Sequence, residues 1–173
     1  MGVISEWGST AAERAATFPC DRYLERPTGV CLRAIDIDAP VAHAFRWLCQ
    51  LRVAPYSYDW IDNGGRRSPR ERDPANEDLA VGQRVMTFFH LVEFERDRHI
   101  TVALSKSRLF GDVAVTYQLS ERPGGARLVV KILFAVPRWS PMGALLPAGD
   151  FLMMRKQLLT LKRLAEEDRA PAA

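Results

Sequence analysis

The stretch from Asp150 to Asp168 carries a pattern that only a helix lying on a broad apolar surface can use. At about 100° per residue, Phe151, Met154, Leu158, Leu161 and Ala165 fall on one side, and Lys156, Thr160, Arg163 and Glu167 on the other. Pro147 and Gly149 punctuate the chain just before it. Asp150 is placed to accept a first-turn amide as an N-cap. A stripe of that length needs a large surface to lie against, and the segments before it read as strands. The predicted fold class is α+β. A curved antiparallel sheet wraps around a long C-terminal helix, two short helices close one end, and a pocket lies between sheet and helix.

The strands follow from period-two patterning. Val30 to Ile37 is rich in β-branched and apolar residues, and Asp38-Ala39-Pro40 ends it. Val41 to Leu51 then has helical spacing, with Val41, Ala44, Phe45, Leu48 and Leu51 on one face. Four meandering strands are predicted over Gln83 to Glu95, Arg98 to Lys106, Asp112 to Glu121 and Ala126 to Val136, with Pro123-Gly124-Gly125 as the last turn. Val113, Val115, Tyr117 and Leu119 share one face of their strand. Leu128, Val130, Ile132 and Phe134 share one face of the next. The run from Gln83 is apolar on both faces, with Met86, Phe88, His90, Val92 and Phe94 against Val85, Phe89 and Leu91, as for a strand covered on both sides. Pro137 to Pro147 reads as an irregular connection that can lie over a pocket mouth. Arg66 to Asp78, with Pro69 and Pro74, reads as a mobile, solvated loop rather than an anion site.

Residues 1–28 read as an extension strapped to the domain surface, with Thr10 and Glu13 spaced for a capping box. Residues 29–168 form the domain and 169–173 a tail. The 173 residues suit one domain with a real core, at 47% hydrophobic and 26% charged residues. A net charge of +3, with acids interleaved among the bases, does not call for a nucleic-acid partner, and none is expected. Cys20, Cys31 and Cys49 have no metal-like spacing, and their odd count fits a reduced cytoplasm better than a disulfide framework. MGVISEWGST has neither a basic nor an apolar signal region, and no apolar run reaches membrane-spanning length, so no membrane insertion is expected.

Three segments resemble a known superfamily. IDIDAPVAHAFRWL resembles the opening strand, Ala-Pro and helix of the START / birch-pollen-allergen / polyketide cyclase superfamily, often called SRPBCC. YSYDWIDN resembles a segment of one bacterial branch, and LLTLKRLAEE resembles the closing helix. The resemblance covers about residues 29–168. In this chain Phe45 stands where many relatives have Trp, and the loop after Trp60 is Arg-rich. The resemblance implies the helix-grip fold and a deep apolar cavity. Members bind lipids, sterols or polyketides, and some cyclise or dehydrate them; fold alone does not choose.

The first functional expectation is therefore binding of an apolar small molecule. Its expected contacts are Tyr56, Tyr58, Trp60, Met86, Phe88, His90, Tyr117, Ile132, Trp139, Phe151, Met154 and Leu158. Amphipathic aromatics at a rim give a guest contact area with a polar tip. The second is a cyclase or dehydratase, in which His90, Tyr58 or Asp59 moves a proton. Asp62 is a further carboxylate beside Trp60. A third is a protein-interaction module with a closed core. Zinc spacings, phosphate loops and the nucleophile elbow have no match, so neither metal nor nucleotide cofactor is expected. The sequence leaves the ligand and the oligomeric state open.

Overall fold

The structure is a computed structural model. It describes the backbone of residues 6–62, 64–107, 111–135 and 142–168, with the side chains at 61–62, 105–107 and 142–151 outside the description. Six strands form one antiparallel sheet: β1 (Gly29–Ile37), β2 (Arg84–Val85), β3 (Phe89–Glu95), β4 (His99–Ser107), β5 (Gly111–Arg122) and β6 (Gly125–Ala135). Their order across the sheet is β1-β6-β5-β4-β3-β2. The helices are α1 (Ala11–Ala15), α2 (Val41–Cys49), α3 (Asp59–Asp62) and α4 (Met142–Glu167).

The inner face of the sheet is set by alternation. Val115 pairs with Ile132, Tyr117 with Val130 and Leu119 with Leu128, and all six are buried in one core. On α4, Met154, Leu158, Leu161 and Ala165 are buried, while Lys156, Arg163 and Glu167 are exposed. Phe45, Trp47 and Leu48 of α2 close the same core. Pro123-Gly124 makes the β5–β6 turn, with Gly124 at φ +82°, a conformation that suits glycine.

The opposite face carries a second, smaller core. Phe18 and Cys20 pack there against Leu32, Ala114, Val129 and Leu133. The Cys20 amide donates to the Thr116 hydroxyl at 2.9 Å, and Lys131 pairs with Asp21 at 2.8 Å. Further upstream, the Ala34 amide donates to the Trp7 carbonyl at 2.9 Å, on the side of β1 that faces away from β6. The approach is close: a Cβ on Gly8 would stand 2.1 Å from the Ala34 carbonyl oxygen. Thr10 and Glu13 form the capping box of α1.

Glu13 also accepts from Arg127, which holds its carboxyl below the usual 4.5 against the opposing effect of burial. A carboxyl depressed in the folded state contributes stability above its unfolded pKa and loses it as pH falls through the folded value. The 6–16 segment is therefore expected to loosen in acid below about pH 4.5, read as faster hydrogen exchange there than in β5 and β6. Glu13→Gln should reproduce the loosening at neutral pH. Equal protection of that segment in both proteins would count against the pair as its anchor.

Three sequence expectations are corrected. First, Gln83 to Glu95 is not one strand. It doubles back at Met86-Thr87-Phe88, so β2 pairs with the start of β3. Met86 and Thr87 sit at φ +47° and +67°, which non-glycine residues adopt at a cost of order 1 kcal/mol. No Gly or Asn marks this turn, and it is held by the Met86 amide donating to the Leu51 carbonyl at 2.9 Å. A register shift between Leu91 and Glu93 then brings Phe94 onto the Leu91 face and leaves Glu93 on the other.

Second, α4 begins at Met142, so Asp150 lies inside the helix and does not cap it. Pro147 forfeits the bond to the Gly143 carbonyl and crowds that carbonyl, at a cost of about 3 kcal/mol in a helix interior. The helix, fixed by packing of its C-terminal half, propagates back across it.

Third, the 66–78 loop is tied down. Gln50, fully buried, exchanges hydrogen bonds with the Asp73 backbone at 3.1 Å and accepts from Asn76 at 2.9 Å. Arg52 donates to the carbonyls of Ala75 and Asp78.

Candidate functional site

The inner wall of the sheet and the facing side of α4 are apolar apart from a few groups. Gln157, 3% exposed, is the centre of one cluster. Its Nε2 donates to the Pro55 carbonyl at 2.6 Å and lies 3.4 Å from Met86 Sδ, and its Oε1 accepts from the Tyr117 hydroxyl at 2.8 Å. One side chain thus links β5, α4, the β2–β3 turn and the segment before α3. Pairing of this kind offsets the desolvation of each group. Arg33 is a second polar group on the wall. It shares a face of β1 with Cys31, Ile35 and Ile37, is fully buried, and donates to the Leu32 carbonyl at 3.4 Å. It places one fixed positive charge on an apolar surface.

A scan against protein-family models matches none, and no curated protein matches. Solved structures do. A Mesorhizobium loti protein is 16% identical with a TM-score of 0.54, covering 83% of this chain and 100% of its own. A Chromobacterium violaceum protein is 17% identical with a TM-score of 0.51, covering 79% and 96%. The fold is the helix-grip fold. The di-domain ARO/CYC StfQ from the steffimycin biosynthetic pathway also matches, at 14% identity and a TM-score of 0.49, over 86% of this chain and 54% of that one.

Within the grip, Tyr117, Ile132, Met154 and Leu158 stand on facing surfaces of sheet and α4, and Met86 joins them from the β2–β3 turn. Other expected contacts lie elsewhere. His90 is exposed on the face turned away from α4, because the doubling-back at Met86 sets the parity of β3 so that Phe89 and Leu91 face in. Phe88, in the turn itself, is 60% exposed. Trp60 on α3 is 76% exposed, and Tyr58 is half-buried. Trp139 and the side chains of Phe151 and Asp62 lie outside the described residues.

Tyr56 is buried, with its ring edge-on to Trp47 at 6.3 Å between centroids. Its backbone is left-handed at φ +55°. Among the described residues its hydroxyl has no hydrogen-bond partner, and burial, with Asp59 nearby, pushes its pKa up to about 12. Asp59 is engaged by Ser68, whose amide donates at 3.0 Å and whose hydroxyl donates at 2.5 Å. This contact pins the Arg-rich loop over α4, and between them lies a half-open cleft of about 360 Å³. Arg67 and Arg70 face it from the loop, and Lys156, Thr160 and Arg163 from α4, with Tyr56 lining it as well.

Sequence reasoning passed over Gln157 and Arg33. Both carried a signal. Gln157 is three residues after Met154 and four before Leu161, on the apolar stripe. Arg33 has the same parity as Cys31, Ile35 and Ile37. Each is a polar residue at a position where the pattern calls for an apolar one.

Proposed function

We propose that this protein binds an apolar small molecule, lipid-, sterol- or polyketide-like, between the inner face of the sheet and α4, and carries it without transforming it. The supporting observation is the state of the inward polar groups. Tyr117 and Gln157 already satisfy each other and the Pro55 carbonyl. A guest meeting that wall finds apolar contact, the sealed polar cluster and the buried Arg33. A cyclase or dehydratase would need an inward proton carrier. His90 is on the outer face, and Asp59 accepts two hydrogen bonds from Ser68.

Native mass spectrometry of the purified protein tests this. The expected result is an adduct that organic solvent extracts, together with saturable binding of an environment-sensitive naphthalene dye that the extract displaces. Met154→Trp, which adds bulk on the α4 face, should weaken dye binding at least tenfold, and His90→Ala should leave it within about twofold. Absence of both adduct and dye binding would end the binding reading. Conversion of the extracted compound by the protein, lost in Asp59→Asn or Tyr58→Phe, would replace it with the enzymatic one.

A further inference from the structure

The cleft between the Arg-rich loop and α4 is separate from the inner surface of the grip. Its charge is unbalanced. Arg67, Arg70, Lys156 and Arg163 line it, against the single carboxylate of Asp59. That carboxylate is occupied by the Ser68 amide and hydroxyl. Arg163 has Glu167 at 3.7 Å, whereas among the described residues Arg67, Arg70 and Lys156 have no ion-pair partner. Lys156, Thr160 and Arg163 are spaced at i, i+4 and i+7, so one helix face presents them together.

The loop that carries two of the cations is anchored at both ends. Asp59 fixes the near end of the loop through Ser68, and Gln50 fixes the far end through Asp73 and Asn76. Tyr56, which lines the cleft, carries an unused donor. Tyr56 is 1% exposed, its hydroxyl is unpartnered among the described residues, and it stays protonated at neutral pH. An orphaned buried hydroxyl costs free energy in the ligand-free protein and recovers it when an acceptor arrives. Guanidinium forks and an ammonium group lining one cleft with a neutral phenol match the oxygens of a doubly charged phosphate group.

We propose that this cleft is a binding site for the phosphate group of a soluble small molecule, with Arg67, Arg70, Lys156 and Arg163 supplying the charge and the Tyr56 hydroxyl one neutral hydrogen bond. Its volume is near the lower end of small-molecule sites. A polyanionic partner fits less well, because Asp73, Glu77 and Asp78 follow directly on the basic run and the whole chain carries only +3.

Calorimetric titration with inorganic pyrophosphate, with potassium chloride holding ionic strength constant, tests the site. The wild type is expected to bind saturably at one site. Arg70→Gln with Lys156→Gln, both exposed positions, should weaken binding at least tenfold. Tyr56→Phe should weaken it three- to tenfold while leaving the denaturation midpoint unchanged or higher, which a purely structural hydroxyl would not do. Equal pyrophosphate affinity in the wild type and the double variant overturns the proposal, as does loss of binding once ionic strength is matched. Binding of a duplex oligonucleotide or of phosphatidylglycerol vesicles more than tenfold tighter than pyrophosphate also overturns it, in favour of a macromolecular surface. The Arg70 and Lys156 readouts sit at exposed positions outside the interior of the grip, so the two proposals stand or fall separately.

Discussion

Leu158→Ala should lower the free energy of unfolding by about 2–5 kcal/mol, whereas Leu159→Ala, one residue along, should change it by about 0.5 kcal/mol or less. Leu158 has no exposed surface and sits in the shared core of sheet, α2 and α4, whereas Leu159 is 37% exposed. Truncating Leu158 removes apolar area and leaves a void that surrounding strands cannot collapse into. For a domain of this size the first change corresponds to about 4–20 °C in melting temperature. Thermal unfolding of the pair measures it. Equal losses would mean that the helix is not gripped where its pattern says it is.

Gln157→Leu should cost about 2–5 kcal/mol, because it takes the 2.8 Å acceptor from the buried Tyr117 hydroxyl and the donor from the Pro55 carbonyl at once. Tyr117→Phe should cost less, since it leaves only one acceptor of Gln157 idle. Combining them should cost less than the sum, with a coupling of about 0.5–3 kcal/mol, because the second change removes a hydroxyl that had already lost its acceptor in the first. Denaturant titration of the four proteins gives the cycle. Strict additivity would show that the 2.8 Å contact contributes nothing to cohesion.

The strands of the meander and the closing helix were legible because their faces are pure. Val115, Tyr117 and Leu119, or Leu158, Leu161 and Ala165, allow only one assignment of inside and outside. Met86 to Phe88 was opaque for the opposite reason. Both parities there are apolar, so no alternation reports the turn, and its left-handed residues are a Met and a Thr. His90 was placed on the wrong face as a direct result. The Arg-rich loop looked free because its anchors are distant: Gln50 lies 23 residues before Asp73, and Asp59 nine before Ser68. Sequence patterning reports local faces, while the loop is held by single side chains from elsewhere.

The two rims of the sheet are finished differently. β2 ends one side with only two residues, Arg84 and Val85, too short to recruit a neighbour. β1 ends the other with nine, and at its middle the Ala34 amide is already spoken for by Trp7. A chain starting at Gly29 would leave that border open, and an extended border of unclaimed amides templates growth of the sheet from molecule to molecule. Residues 6–28 thus claim part of that border, and removing them is expected to favour growth from one sheet to the next.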